Sequence, residues 1–258
     1  MGKVFGYPGW SKDGEQIVTE YTGDYSHMMM DIRLFRMKSG QNKEFFKPEE
    51  ETAIMLLSGK IKLSWEEHTE ELSRSSVWTG DQYTLHVCKG VKISVTALSD
   101  DVEIYVQSTH NDKKFESKLY RPQDAPWEVR MHGKYGDTAK RNVTTIFDYS
   151  TAPYSNMVLG EIMNDAGNWC GYLPHHHPQP ELYYFKFERP EGFGASFVGE
   201  DVYYIKDGSF SAIPGGKTHP QSAAPGYRMY IIWAIRHFDD NPWTTGIFDE
   251  RFTWLDEV

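Results

Sequence analysis

Pro174-His175-His176-His177-Pro178-Gln179-Pro180-Glu181-Leu182-Tyr183-Tyr184 places three imidazoles and a carboxylate within seven positions. In an extended chain alternate residues share a face, so His175 and His177 point together and His176 points away. Glu181 has the same parity. Pro178 and Pro180 cannot donate to a ladder and bend the chain, so parity alone does not carry past Pro178. A loop there still lets Glu181 return on the next strand to join the pair. A further imidazole, His219, closes the stretch Gly208-Ser209-Phe210-Ser211-Ala212-Ile213-Pro214-Gly215-Gly216-Lys217-Thr218-His219. His175, His177, Glu181 and His219 form a nitrogen and oxygen donor set suited to one divalent transition metal, Zn, Mn, Fe, Co or Ni, rather than to Ca or Mg. Neither stretch contains Cys, which argues against a thiolate-rich structural zinc site. An open set of this kind reads as catalytic.

Around these stretches the chain is rich in short runs of Val, Ile, Tyr, Phe and Thr punctuated by Gly, Pro, Asp and Asn, the pattern of strands. Ala53–Leu63, Val91–Leu98, Val102–Gln107, Leu182–Phe187, Val202–Lys206 and Arg228–Ile235 are the clearest. Helical patterning is confined to Pro48–Thr52 and the tail Phe238–Trp254, so the expected class is all-β, a sandwich or barrel. With 27 Lys+Arg against 37 Asp+Glu, the chain lacks the basic balance that phosphate recognition needs, which excludes a nucleic-acid partner. No run approaches the ~18 apolar residues of a membrane helix, and the start Met1–Gly9 has no apolar leader core. Two cysteines, Cys88 and Cys170, are too few for a disulfide framework, and the expected location is the cytoplasm.

A faint repeat sets Lys89–Ala97 against Gly215–Ala223, sharing a glycine, Gly90 with Gly216, and a terminal small residue. It divides the chain into residues 1–120 and residues 121–258, joined near Arg121-Pro122-Gln123-Asp124-Ala125-Pro126. The repeat matches His219 to Ile93, and no histidine lies between His27 and Glu49-Glu50-Glu51. The first unit is therefore expected to hold no metal and to serve structure or pairing, and the second to carry the metal site.

The two quoted stretches together fit H-x-H-x3-E followed by G-x5-P-x-G-x2-H and so resemble the two-part motif of the cupins, at His175, His177, Glu181, Gly208, Pro214, Gly216 and His219. Ala223 stands where the second motif usually ends in Asn. Two such units in one chain would be a bicupin, two jelly-roll-like β barrels. The whole chain resembles the 5-deoxy-glucuronate isomerase family, related to the 5-keto-4-deoxyuronate isomerases. The carriers are Leu56-Leu57-Ser58-Gly59-Lys60, Arg141-Asn142-Val143, Pro174–His177 with Glu181–Tyr184, Thr218-His219-Pro220, Ala224-Pro225-Gly226-Tyr227 and the tail Asp239–Trp243. Departures from the family pattern are a short spacing before Glu181, Phe185-Lys186 after the paired tyrosines, and Arg228 after Tyr227.

The resemblance implies an aldose–ketose isomerisation of a sugar acid, 5-deoxy-glucuronate to 5-dehydro-2-deoxy-gluconate, in inositol breakdown. A metal acting as a Lewis acid on the carbonyl and adjacent hydroxyl suits that chemistry. Glu181 reads as a ligand rather than the base, since its loss would leave three neutral imidazoles around the ion. Tyr183, Tyr184 and Arg228 are the candidates for catalytic roles, with His176 also close in sequence. For the substrate carboxylate the candidates are Arg141, Lys186, Lys217 and Arg236. A homo-oligomer would suit the class. The rival readings are a cupin Fe(II) dioxygenase on the same ligands and a non-catalytic sugar-binding cupin.

Overall fold

A computed structural model describes residues 2–79 and 81–257. All six predicted strands overlap observed ones, Glu50–Trp65, Lys92–Ala97, Val102–His110, Glu181–Phe187, Asp201–Lys206 and Met229–Arg236. The helical reading of Pro48–Thr52 is corrected: Glu50, Glu51 and Thr52 begin the longest strand, and Glu51 is completely buried. The tail is not an α-helix either. It holds a two-residue strand, Ile247–Phe248, and a 3-10 segment, Glu250–Glu257.

The first half builds a nine-stranded sheet on Glu50–Trp65. The opening part of that strand runs between Thr84–Val87 and Val102–His110, and its far part pairs with His68–Arg74 and Lys92–Ala97. The second half repeats the plan with Glu181–Phe187 at the centre of a seven-stranded sheet, flanked by Phe210–Ile213 and Met229–Arg236. A four-stranded sheet containing Phe193–Val198 and Gln221–Ala223 forms the other wall of this second barrel. The leading strand Phe5–Gly6 crosses to the second half, where it pairs with Phe210–Ile213.

The central strands are buried on both faces, so they read as continuous apolar runs instead of alternating ones. Alternation survives in where the side chains go. Along Glu181–Phe187, Tyr183, Phe185 and Phe187 fill the second barrel, while Leu182 and Tyr184 enter a core shared between the halves. Ile231, Trp233 and Ile235 likewise face the barrel, whereas Tyr230, Ile232 and Ala234 meet Met30, Ile32, Leu34, Met55 and Tyr105 of the first half. Truncating one of these shared-core residues, such as Ile232 to Ala, costs about 2–5 kcal/mol.

Charge is also sealed in this shared layer. Arg74 of the first half forks onto Glu161 of the second at 2.6 and 3.2 Å and donates to the Leu56 carbonyl, while the Tyr230 hydroxyl donates to Glu161. Both charged side chains are wholly buried. Such a pair adds little over an apolar replacement, but breaking one side strands a charge in the core.

Candidate metal centre

Glu181 is the first residue of its strand and lies opposite Ile213 and Ile235, so its carboxylate enters the mouth of the second barrel. His177 precedes it across Pro178-Gln179-Pro180, and His219 sits six residues beyond the strand that ends at Ile213. The turn carrying His219 is clamped to the histidine run: the Gly216 amide donates to the His177 carbonyl at 2.7 Å. Gly215 is required for that approach, because a methyl group there would overlap the Pro178 carbonyl. Gly216 adopts φ +81°, a left-handed conformation that suits glycine.

These elements bring the side-chain donors of His177, Glu181 and His219 within 4.8 Å of one another, all buried. His177 Nε2 is 2.8 Å and His219 Nε2 2.9 Å from the same oxygen, Glu181 Oε2. His175 stands beside this trio, its ring centre 4.9 Å from that of His219. In each of the three histidines Nδ1 lies against a main-chain carbonyl: Leu173 at 2.8 Å for His175, Gln179 at 2.9 Å for His177 and Lys217 at 2.7 Å for His219. With Nδ1–H donating outward, each neutral ring keeps the Nε2 lone pair for the site, the arrangement of a metal-ligating histidine. Two lone pairs then face one carboxylate oxygen, a repulsion that a proton or a metal cation among them relieves. His219 Nε2 is buried and lacks a hydrogen-bond partner. The donor set thus fits a divalent ion.

Burial works to raise the Glu181 carboxyl, yet positive charge on the facing edges of His219 and His177 holds it well below the usual carboxylate range, and a metal cation in place of a proton there would act in the same direction. Burial, with the nearby His219, lowers His175 to about 4, so its imidazole is neutral at physiological pH. Tyr183 lies over His219, ring centres 5.8 Å apart. Burial, and then the negative charge of Glu181, push its phenol well above the ordinary tyrosine value, so it remains a hydrogen-bond donor.

The remaining sequence candidates separate sharply. Arg141 is buried beside the site: its charge opposes the burial that raises the Cys170 thiol and the Tyr183 phenol, and its guanidinium donates to the carbonyls of Ala139 and Tyr172. Tyr184 lies on the opposite face of its strand and donates to Gln16 at 2.7 Å in the shared core. Lys186 bonds Glu103 of the first half. Arg236 donates to Thr109 and the His237 carbonyl. Arg228 is half-exposed beyond the far end of the strand that puts Ile235 against Glu181, where it pairs with Glu188 at 3.6 Å. Lys217 and His176 line an outer groove with Ile247, Phe248 and Asp249.

Sequence reasoning missed Trp243, Gln221 and Cys170. The Trp243 ring sits 6.1 Å from His177 and 5.8 Å from Trp233, and its amide donates to His237 Nδ1. Gln221 donates to the His219 carbonyl and pairs in register with Cys170. Ile247–Phe248 pairs with His175–His176, which lays the tail beside the site. The tail's contribution depends on a long-range strand pairing that no local motif announces. A second group, Glu49, His110 and Asp112, is exposed on the surface of the first half.

Two β barrels back to back, one bearing a buried His–Glu–His cluster at its mouth, define a bicupin. Solved structures agree: an IolB-like protein from Salmonella typhimurium LT2 superposes with a TM-score of 0.88 at 19% identity, covering 99% of this chain and 100% of its own. An oxalate decarboxylase from Lactobacillus farciminis gives 0.69 at 12% identity, covering 100% of this chain and 91% of its own. The chain belongs to the KduI/IolB family, whose model matches residues 7–255. Among curated relatives, a 5-deoxy-glucuronate isomerase of Geobacillus kaustophilus is 26% identical over 89% of this chain and 87% of its own length. One of Bacillus subtilis strain 168 is 24% identical over 85% and 86%. The enzyme class read from the sequence, an isomerase, is the class named for these relatives.

Proposed function

We propose that the protein is a metal-dependent aldose–ketose isomerase acting on a sugar acid, 5-deoxy-glucuronate, and yielding 5-dehydro-2-deoxy-gluconate in inositol breakdown. The observation that carries this reading is the inward-facing Nε2 set of His177 and His219 around Glu181, in a chain whose curated relatives bear that isomerase name. His175, His177, Glu181 and His219 would hold the ion. When bound, a divalent ion supplies Lewis acidity toward the carbonyl and neighbouring hydroxyl oxygens that share the enediolate charge.

The chain's own groups supply the rest. The carbonyls of Leu173, Gln179 and Lys217 fix each imidazole so that the donors need not reorganise when charge develops. Tyr183 keeps its proton and can donate it toward a substrate oxygen beside Glu181. Arg141, buried close enough to act on the Tyr183 phenol, offers a guanidinium for the substrate carboxylate. Tyr184, Lys186, Arg228 and Arg236 have other partners and are not assigned roles. Two buried free thiols, Cys88 and Cys170, fit a reducing cytoplasm. No described helix is long and apolar enough to cross a membrane.

The test is to measure bound metal in the purified protein and follow 5-deoxy-glucuronate by proton NMR with and without chelator, in air and under strict anaerobiosis. Turnover that needs the metal and ignores oxygen supports the reading. Full turnover by metal-free protein would sink the metal's role, and dependence on oxygen would favour a dioxygenase.

A further inference from the structure

The mouth of the first barrel can be set against that of the second by register. Thr52 lies opposite Val87 and Ser108 as Glu181 lies opposite Ile213 and Ile235. Three residues beyond Val87 and Ile213 come Gly90 and Gly216, at φ +79° and +81°. The Gly90 amide donates to the Lys47 carbonyl at 2.8 Å as Gly216 donates to His177. Lys47 therefore occupies the place of His177, Phe45 that of His175, Thr52 that of Glu181 and Ile93 that of His219.

No metal donor set survives there, but the mouth is not filled in. It opens into a cavity of about 350 Å³ lined by Phe35, Phe45, Val106, Thr52 and Ser108, with charged side chains around them. That volume lies within the ~300–1,000 Å³ of small-molecule sites. Thr52 and Ser108 share a hydrogen bond of 3.1 Å on its floor. Arg33 and Lys47 are both engaged with Asp31, at 2.9 Å each. Lys43 lies 4.5 Å from the centre of the Phe35 ring and forms no ion pair among the described residues. Of the three lining cations, Arg33 also pairs with Glu15 and Glu20 and Lys47 with Glu50, which leaves Lys43 as the lining cation with no ion pair among the described residues. Phenyl faces suit the C–H face of a sugar ring, paired hydroxyls suit its hydroxyl groups, and a free ammonium suits a carboxylate.

We propose that the first barrel binds one carboxylated monosaccharide without metal, with Lys43 as its carboxylate partner and Thr52 and Ser108 beneath its hydroxyls. The cavity is then a second, non-catalytic site. The probe is D-glucuronate, titrated calorimetrically into the full-length protein with and without chelator, with D-glucose as the neutral control. The expected result is a binding event that persists in chelator, is at least tenfold weaker for glucose, and weakens at least tenfold in Lys43→Glu while isomerase kcat is unchanged. Ser108→Ala, which removes one hydroxyl without adding bulk, should weaken it as well. Absence of chelator-resistant binding overturns the proposal, as does chelator-resistant binding that both variants leave intact. Equal affinity for glucose overturns the assignment to a carboxylate. Because the readout is metal-independent, failure of the isomerase reading leaves it standing, and the converse holds.

Discussion

The two barrel mouths share strand order, register and a glycine turn clamped by the same amide-to-carbonyl bond, yet one ends in His175, His177, Glu181 and His219 and the other in Phe45, Lys47, Thr52 and Ile93. The shared features are main-chain features, held by ladders and by apolar side chains deeper in each barrel. The differing ones are four side chains at each mouth: Ile93 and Phe45 pack into the first barrel's core, whereas the four polar residues of the second stand outside its apolar cluster. The fold and the donor set are thus separable, and each can be perturbed without the other.

The largest expected effect comes from removing a donor. Glu181→Ala or His219→Ala should empty the metal site and lower isomerase activity at least ~10²-fold, with the circular dichroism spectrum and Tm near those of the parent. His176→Ala, on the outer side, should change neither. Loss of the fold in His219→Ala would show that the two mouths differ in more than chemistry.

Next comes the layer that joins the halves. Arg74→Ala leaves Glu161 buried without its cation and should cost about 3–5 kcal/mol in denaturant unfolding. Replacing Arg74, Glu161 and Tyr230 together by Met, Leu and Phe should recover most of that loss.

Register equivalence is tested by grafting. Phe45→His, Lys47→His, Thr52→Glu and Ile93→His in one chain should raise bound divalent metal toward two per chain by elemental analysis. Unchanged stoichiometry would break the correspondence.

A smaller contrast lies within one strand. Tyr183→Phe should reduce kcat by about tenfold through loss of a donor beside Glu181. Tyr184→Phe should spare kcat and cost about 1 kcal/mol for its hydrogen bond to Gln16.

The smallest effect is in pH. Burial first, with the neighbouring Arg236, lowers His237 to about 4 against an ordinary value of 6.5, and its neutral Nδ1 accepts the Trp243 amide. The unfolded chain therefore binds more protons between pH 6.5 and 4. The stability this group supports is full above 6.5 and drains as pH falls toward 4. A Tm titration should show the decline, shallower in His237→Gln.

Much of this was legible in the sequence. Strands declare themselves through β-branched and aromatic runs, and the clustering of His177, Glu181 and His219 through a spacing that proline and glycine make geometrically workable. What stayed hidden depends on long-range pairing. Leu182, Tyr183, Tyr184 and Phe185 are all apolar enough for a core, so nothing local says which two face the interior of the second barrel and which two face the other half. Arg228 and Lys186 neighbour the motifs in sequence but lie at the strand's far end or on the face turned to the first half. Arg141 is distant in sequence and lies beside the site. Glu51 read as helical because it sits among glutamates and no histidine precedes it closely. Its partner, His86 at 2.8 Å, comes later in the chain and arrives on the neighbouring strand.

The short ladder between His175–His176 and Ile247–Phe248 has a consequence in time. Synthesis delivers all four proposed donors by residue 219, whereas the strand that covers His175 emerges 28 residues later. During that interval the donors can gather while the approach to His175 is still open, and docking of the tail then narrows the route. For an ion held there, escape from the finished protein requires peeling a two-residue ladder and lifting Gly246 off the His175 ring, a far smaller motion than opening the barrel. For such an ion the tail would set the rate of exchange, and the four proposed donors the strength of binding.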